Sequence, residues 1–539
     1  MFHPGWREQA LSELDETFDL VVIGGGITGC GILLDAAQRG LRVLLLEASD
    51  VAAGTSSRSS KLIHGGLRYL KQMQFRITRL ACQERDRMLV LNPELVRPVR
   101  FLYPVIEDAE LPGWVVDLGL WMYDRLTRRK ETHVHLLRDE MRSFAPQLRV
   151  ECMTEGLAYG DAVADDAALT LAVAATGFAC GGRVATRVEA EEPVVGSDGR
   201  IRGVVFRDLE TNAVHRASAH VVVNATGVWV DRTRERFGLE GRRTRPSRGS
   251  HLILPAGRLP LAGAVTVPSP DDGRPVFMIP HPEGVLVGTT DLYHEGSLDD
   301  PRPTRAEADY LLRALTTYFP AARISEGDVV AAFAGLRPIL DTHAENPSEA
   351  SREEDVWEER GMLSVAGGKL TTWRVTAEEA VDEALRYLPE ERAERAAPCH
   401  TAGTPLVGLA PADLPERLRR ASSAPPEVAA ALARRLRSLA WWAVRLARDG
   451  KELAPLADGS DLCAAEVRAH LAFGAVVRLE DLLLRRARIG VWQPRLAREL
   501  APRLRPLFEE ELGWEAGRFE RELESLPAAL EGWSVEGIR

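Results

Sequence analysis

The chain lacks the spacings that mark a metal centre or a disulfide scaffold. Its six cysteines, Cys30, Cys82, Cys152, Cys180, Cys399 and Cys463, are scattered, with no CxxC pair among 539 residues. That pattern points to a reducing cytoplasm rather than an oxidising compartment. No N-terminal stretch combines a basic start, an apolar centre and a cleavage site, so secretion is not expected. No apolar run is long enough to span a bilayer. Basic excess is also missing: the net charge is −11, which argues against nucleic acid as a partner through bulk charge. No repeat of fixed period is present. The length instead predicts several domains.

The most informative segment runs from Phe18 to Leu70. An apolar run, Leu20 to Ile23, enters Gly24-x-Gly26-Ile27-Thr28-Gly29. A helical pattern follows to Arg39, and a second apolar run ends in Glu47. This is the order of a βαβ dinucleotide-binding unit. Its glycines allow the tight turn, backbone approach to a pyrophosphate and close helix packing. The helix start favours phosphate charge, and Glu47 is placed to accept from ribose hydroxyls. The unit alone fits NAD, NADP or FAD. The loop that follows, Thr55-Ser56-Ser57 through Ser60-Lys61-Leu62, and then His64-Gly65-Gly66 suit a chain lying against a flavin. Cys30, in the first turn of the helix, is either a packing residue or a thiol of depressed pKa.

Further along, Val221 to Asn224 reads as a buried strand ending in Ala225-Thr226-Gly227-Val228-Trp229, small residues that let backbone approach a ligand. Strand-like runs occur at 101–106, 252–254, 276–279 and 285–288. The predicted architecture is α/β, a Rossmann-like dinucleotide domain with an inserted α+β domain. The dinucleotide domain is expected as 18–92, 150–240 and 330–392, with 93–149 and 241–329 forming the inserted substrate domain. After a proline-punctuated stretch, 396–539 reads as an all-α C-terminal domain, with helical patterns at 427–448, 463–488 and 495–528.

Several motifs occur together and in order: TSSRSSKLIHGGLRYL (55–70), ATGVW (225–229), RGSHLIL (248–254), GTTD (288–291), GLRPIL (335–340), SREEDVW (351–357) and AGGKLTTWR (366–374). In these the chain resembles the FAD-dependent, quinone-linked glycerol-3-phosphate dehydrogenase family, a two-domain flavoprotein of amine-oxidase-like fold. The resemblance runs from Phe18 to Asp382 and more loosely beyond. It implies FAD as cofactor, oxidation of glycerol 3-phosphate to dihydroxyacetone phosphate, and a membrane quinone as electron acceptor. His251 would be the base, since an imidazole titrates near working pH. Arg337 would hold the substrate oxygen beside it. Arg68, Tyr69, Arg352 and Lys369 are assigned to the phosphate, with Lys369 alternatively neutralising charge on the reduced flavin. Thr371 is expected to touch substrate. Gly368, Lys369, Leu370 and Thr371, with Val184, complete the expected cofactor contacts.

Two positions depart from the family pattern: Ala168 follows Asp165-Asp166-Ala167 where an arginine is frequent, and Trp373 stands where tyrosine is usual. An oxidase passing electrons to oxygen, an amine or amino-acid oxidase, and a flavin protein without turnover are the competing readings. The absence of room for an oxidase-type insertion and the number of cations favour the dehydrogenase. Leu111 to Lys130 mixes Trp114, Trp121, Met122 and Tyr123 with Arg125, Arg128, Arg129 and Lys130; both an interfacial helix on the inner face of the cell membrane and core packing fit it. Trp441-Trp442 form a second such segment. Assembly as a homodimer is compatible with the sequence.

Overall fold

The computed structural model describes residues 2–67, 73–107, 112–127, 132–342 and 355–539. Two sheets organise it. The first is ordered Asp355–Glu359, Met362–Ala366, Val214–Asn224, Phe18–Ile23, Val43–Glu47, Arg183–Thr186. The pairings of Phe18–Ile23 with both neighbours, of Arg183–Thr186 with Val43–Glu47 and of Met362–Ala366 with Val214–Asn224 are parallel, and Asp355–Glu359 joins antiparallel at the edge. Phe18–Ile23 is buried along its whole length, as expected of a parallel strand covered on both faces. The helix Ile27–Gln38 packs between Asp166–Ala179 and Trp373–Leu385 in the core over this sheet. Gly31 is needed there: a Cβ on it would sit 2.9 Å from the Trp373 ring. The tryptophan that departs from the family pattern thus packs against the dinucleotide helix, away from any ligand.

The second sheet is mixed and mostly antiparallel, ordered Leu292–Tyr293, Ser247–Leu254, Gly284–Gly288, Pro275–His281, Ala264–Pro268, Val96–Ile106, Met153–Ala164, Leu62–Ile63. Ala331–Arg337 adds to the Ser247–Leu254 strand, and Val134–Leu136 to Met153–Ala164. The segment division expected from the sequence shifts accordingly. Leu62–Ile63, Met153–Ala164 and Ala331–Arg337 were grouped with the dinucleotide domain, but their hydrogen bonds go to the second sheet. The chain crosses between sheets inside these ranges, so their ends face one cavity.

The region after 396 is helical, with shorter helices than the sequence pattern predicts. The 427–448 pattern divides into Pro426–Leu436 and Ala440–Leu446, at Arg437 with φ +52°. Pro494 begins a new helix, Pro494–Leu500, and Gly513 at φ +65° ends Arg505–Leu512 before Ala516–Glu531. This layer is tied to the dinucleotide sheet by buried charge. Asp50, just past the second strand, accepts from Arg486 at 2.6 and 2.8 Å and also from Arg485. Arg488 donates to Asp166 at 2.8 Å and Asp165 at 3.1 Å. A guanidinium therefore does reach the Asp165-Asp166 pair, from more than 300 residues downstream instead of from position 168.

Candidate active site

A cavity of about 1570 Å³ opens between the two sheets. Single small-ligand pockets span roughly 300–1,000 Å³, so this one has room for a dinucleotide and a second molecule. One end lies at the carboxyl ends of Phe18–Ile23 and Val43–Glu47, where open α/β sheets bind ligands. Gly24, at φ +110°, turns the chain there, and a Cβ on it would meet the Ala225 carbonyl at 2.6 Å. The Glu47 carboxylate accepts from the amides of Gly25 at 2.6 Å and Ser49 at 2.7 Å. Burial pushes its pKa up, and these amides pull against that rise.

Most of the expected cofactor contacts line this cavity: Gly24, Gly26, Ile27, Thr28, Glu47, Thr55, Ser56, Ser60, Leu62, His64, Ala225, Thr226, Gly227, Trp229, Gly368, Lys369, Leu370 and Thr371. The Ser56 hydroxyl accepts from the Ile27 amide at 2.9 Å, closing the loop onto the helix start. Thr371 accepts from the His64 amide at 3.2 Å and so joins the two glycine-bearing loops.

Six expected contacts face elsewhere. Gly29 is a packing glycine, since a Cβ would lie 1.9 Å from the Gly24 carbonyl. The Ser57 hydroxyl turns back to Gly54. Lys61 is buried in an ion pair with Asp166 at 2.7 Å, which satisfies its charge away from the cavity. Gly65 is required by packing, since a Cβ would strike the Cys82 sulfur at 2.3 Å and the Tyr123 hydroxyl at 2.5 Å. Gly66 is buried at φ +75° and supplies a turn. Val184 pairs with Leu45 inside the sheet and is fully buried; Val188, four residues on, takes the cavity wall. Cys30 is likewise a packing residue: burial, with Glu47 and Asp50 nearby, drives its thiol pKa well up. Arg68, Tyr69 and Arg352 lie outside the described residues.

The far end of the cavity is built on three antiparallel strands. His251 sits opposite Phe333 on one neighbour and Gly288 on the other. Its ring stacks on Phe333 at 4.8 Å, and Gly288 must lack a side chain because a Cβ would fall 2.4 Å from the imidazole. His251 is 2% exposed. Burial first, then Arg337 and Lys61, hold its pKa well below the usual histidine value, so the ring is neutral at neutral pH. Nε2 lies 2.9 Å from the Ser60 hydroxyl, while the buried Nδ1 finds no partner among the described residues. Arg337, at the end of its strand, donates to Asp291 and to the Thr289 hydroxyl, each at 3.1 Å.

The TSSRSS loop brings the two ends together. The Thr55 hydroxyl donates to the Leu336 carbonyl at 2.7 Å, and Arg58 donates to the Ala334 carbonyl at 3.4 Å. Sequence reasoning did not assign Asp291, Arg58 or Arg274, which also line the cavity. Asp291 and Arg58 lie within quoted motifs; Arg274 falls in none. A neutral buried imidazole near a guanidinium can accept a hydroxyl proton while the oxygen's growing charge is held.

A model of FAD dependent oxidoreductases matches residues 19–372, and one described as the C-terminal domain of alpha-glycerophosphate oxidase matches 399–519. The chain is 36% identical to glycerol-3-phosphate dehydrogenase 2 of Mycobacterium tuberculosis, over 98% of this chain and 91% of that one. It is 35% identical to the aerobic glycerol-3-phosphate dehydrogenase of Staphylococcus haemolyticus, over 73% and 72%. Among solved structures, the glycerol-3-phosphate dehydrogenase of Bacillus halodurans complexed with FAD superimposes with TM-score 0.79 at 29% identity, covering 99% of this chain and 98% of that one. The glycine oxidase of Geobacillus kaustophilus (TM-score 0.54, 20% identity, 69% of this chain and 96% of that one) shares the fold.

Proposed function

Because the chain belongs to the FAD-dependent glycerol-3-phosphate dehydrogenase family, we propose that it oxidises sn-glycerol 3-phosphate to dihydroxyacetone phosphate and passes the electrons to a membrane quinone. FAD is its cofactor, and when bound it supplies the hydride acceptor. The glycine turn at Gly24, the helix start at Ile27 and the Glu47 carboxylate suit its adenosine diphosphate half. The loop from Ser56 to Ser60, with Gly368 to Thr371, suits the flavin half.

The observation that carries the reading is His251, neutral and buried, at the cavity end beside Arg337. In this reading His251 takes the proton from the substrate's secondary hydroxyl. Arg337, fixed by Asp291 and Thr289, holds the oxygen as charge grows on it. Lys369, Arg68 and Arg352 meet the phosphate dianion, with arginine suited to bidentate contact, and Tyr69 and Thr371 complete its pocket. An amino-acid oxidase site would instead have to receive a neutral amine.

Support for a membrane acceptor comes from the helix Gly113–Leu126. Trp114, Leu118 and Trp121, at i, i+4 and i+7, are 69%, 46% and 47% exposed, and Arg125 stacks over Trp121 at 4.4 Å. An apolar stripe with a cation beside it suits an interfacial helix. Met122 belongs to the other face, half-buried against the core and lining the cavity; Arg128, Arg129 and Lys130 lie outside the described residues. Trp441 and Trp442 are also partly exposed. No helix among the described residues is long and apolar enough to cross a membrane.

The test is anaerobic mixing of the FAD-loaded protein with glycerol 3-phosphate, glycerol or glycine. Flavin bleaching by glycerol 3-phosphate alone is expected; bleaching by glycine alone would overturn the reading. Reoxidation by a soluble quinone analogue faster than by oxygen is expected of a dehydrogenase, and the reverse would make it an oxidase.

A further inference from the structure

On the outer side of the Gly113–Leu126 helix, away from the chemistry, three side chains converge. His133 and His135 flank Val134 at the start of the Val134–Leu136 strand, so residues two apart point the same way. Asp117 faces them from the helix. Its Oδ1 lies 2.8 Å from Nε2 of His133 and 2.9 Å from Nε2 of His135, and the three ligand atoms all fall within 4.8 Å of one another. The rings stand 5.9 Å apart, centroid to centroid.

The other nitrogen of each ring is also engaged. Nδ1 of His133 lies 2.7 Å from Asp124, which accepts from the His133 amide as well, at 3.0 Å. Nδ1 of His135 lies 2.7 Å from Glu155. Carboxylates on the Nδ1 side hold both rings so that their Nε2 atoms converge on Asp117. That is how metal-binding histidines are oriented by their outer partners.

We propose that Asp117, His133 and His135 form a divalent transition-metal site, zinc-like in its His₂-carboxylate donors, with a coordination position left to solvent. The donor set is that of Zn²⁺, whose bonds to nitrogen and carboxylate oxygen are about 2.0–2.2 Å; soft thiolate metals are disfavoured because no cysteine is in the cluster. His133 and Asp117 are half-buried and His135 is exposed, so the site is open to exchange from solution. Val115, Val116, Gly119 and Met122 of the same helix line the cavity. A bound ion would therefore pin this cavity-wall helix to the Val134–Leu136 strand.

The FAD-loaded protein, dialysed against a chelator, is titrated with Zn²⁺ by calorimetry, and metal retained after gel filtration is counted. One Zn²⁺ per chain is expected. His135→Ala, at an exposed position, should weaken binding at least tenfold without changing the circular dichroism spectrum. Glu155→Gln, which leaves the ligands intact, should weaken it by about tenfold or more through loss of orientation. Co²⁺ in the same site should give a d–d absorption band in wild type and none in His135→Ala. No stoichiometric Zn²⁺ in wild type, or the same affinity in wild type and His135→Ala, would overturn the proposal.

Discussion

Gly249 is the position where a single methyl group would disturb the chemistry with little disturbance of the fold. It lies on the strand Ser247–Leu254, and the Arg337 guanidinium rests across it. A Cβ at 249 would stand 2.4 Å from Nη2 of Arg337 and 2.5 Å from the Thr289 hydroxyl. Both atoms are ends of side chains, so relief comes from displacing the guanidinium by about 1 Å and not from moving backbone. A misplacement of about 1 Å at a reacting centre costs up to about 10²-fold in rate, equivalent to roughly 2.7 kcal/mol in activation free energy. Gly249→Ala should therefore slow flavin reduction by glycerol 3-phosphate about 10- to 100-fold. Stopped-flow absorbance at a series of substrate concentrations reads this directly. The loss should lie in the limiting rate, because Arg337 is assigned to the oxygen whose charge grows during the reaction. Thermal stability should change little. An unchanged limiting rate, or a loss confined to KM, would refute the role given to Arg337.

His281 is half-buried, its ring packed against Trp492, and desolvation, then Lys61 and Arg97, push its pKa down to about 3. The unfolded chain takes up this proton near pH 6.5 and the folded one only near 3, so stability is complete above 6.5 and is lost as pH falls between them. The expected slope is about 1.4 kcal/mol per pH unit; His281→Phe should flatten denaturant midpoints measured from pH 6 to 4, and an unaltered slope would count against this. Asp50→Ala strips Arg485 and Arg486 of a shared buried carboxylate, and should cost about 3–5 kcal/mol by urea unfolding; less than 1 kcal/mol would mean solvent reaches the cluster. Trp114→Ser with Trp121→Ser should abolish flotation with anionic liposomes while leaving flavin bleaching intact, and retained flotation would remove this helix as the contact.

What could be read from the residues was local. The Gly24–Gly29 turn, Glu47 at a strand end and ATGVW each depend on neighbours close in sequence, and all reach the cavity. The failures arose where a distant partner decides. Lys61 looks like a cofactor contact until Asp166 claims it, and nothing near Gly65 in sequence shows that Cys82 and Tyr123 pack against it. Val184 and Val188 are both apolar strand residues, and only pairing with Leu45 shows which is inside. Arg274 sits in no motif; it immediately precedes the strand Pro275–His281, and its guanidinium reaches across to the Asp291 carbonyl at 2.8 Å. Periodicity overestimated helix length after 426 because turns at Arg437, Ala475 and Gly513 leave the apolar pattern continuous while breaking the backbone.

The charge that Asp50 buries is answered from 435 residues further along the chain, and Asp166, paired with Lys61, gains Arg488 from 322 residues further on. During synthesis the loop holding Asp50, Thr55 and Lys61 leaves the ribosome long before Arg485, Arg486 and Arg488 do. Domains generally fold as they emerge, but Asp50 in this loop gains its guanidinium partners only once Arg485 and Arg486 have been made. Loss of the segment holding Arg485, Arg486 and Arg488 would thus be felt at the cofactor loop, and a chain cut short before it should capture FAD poorly.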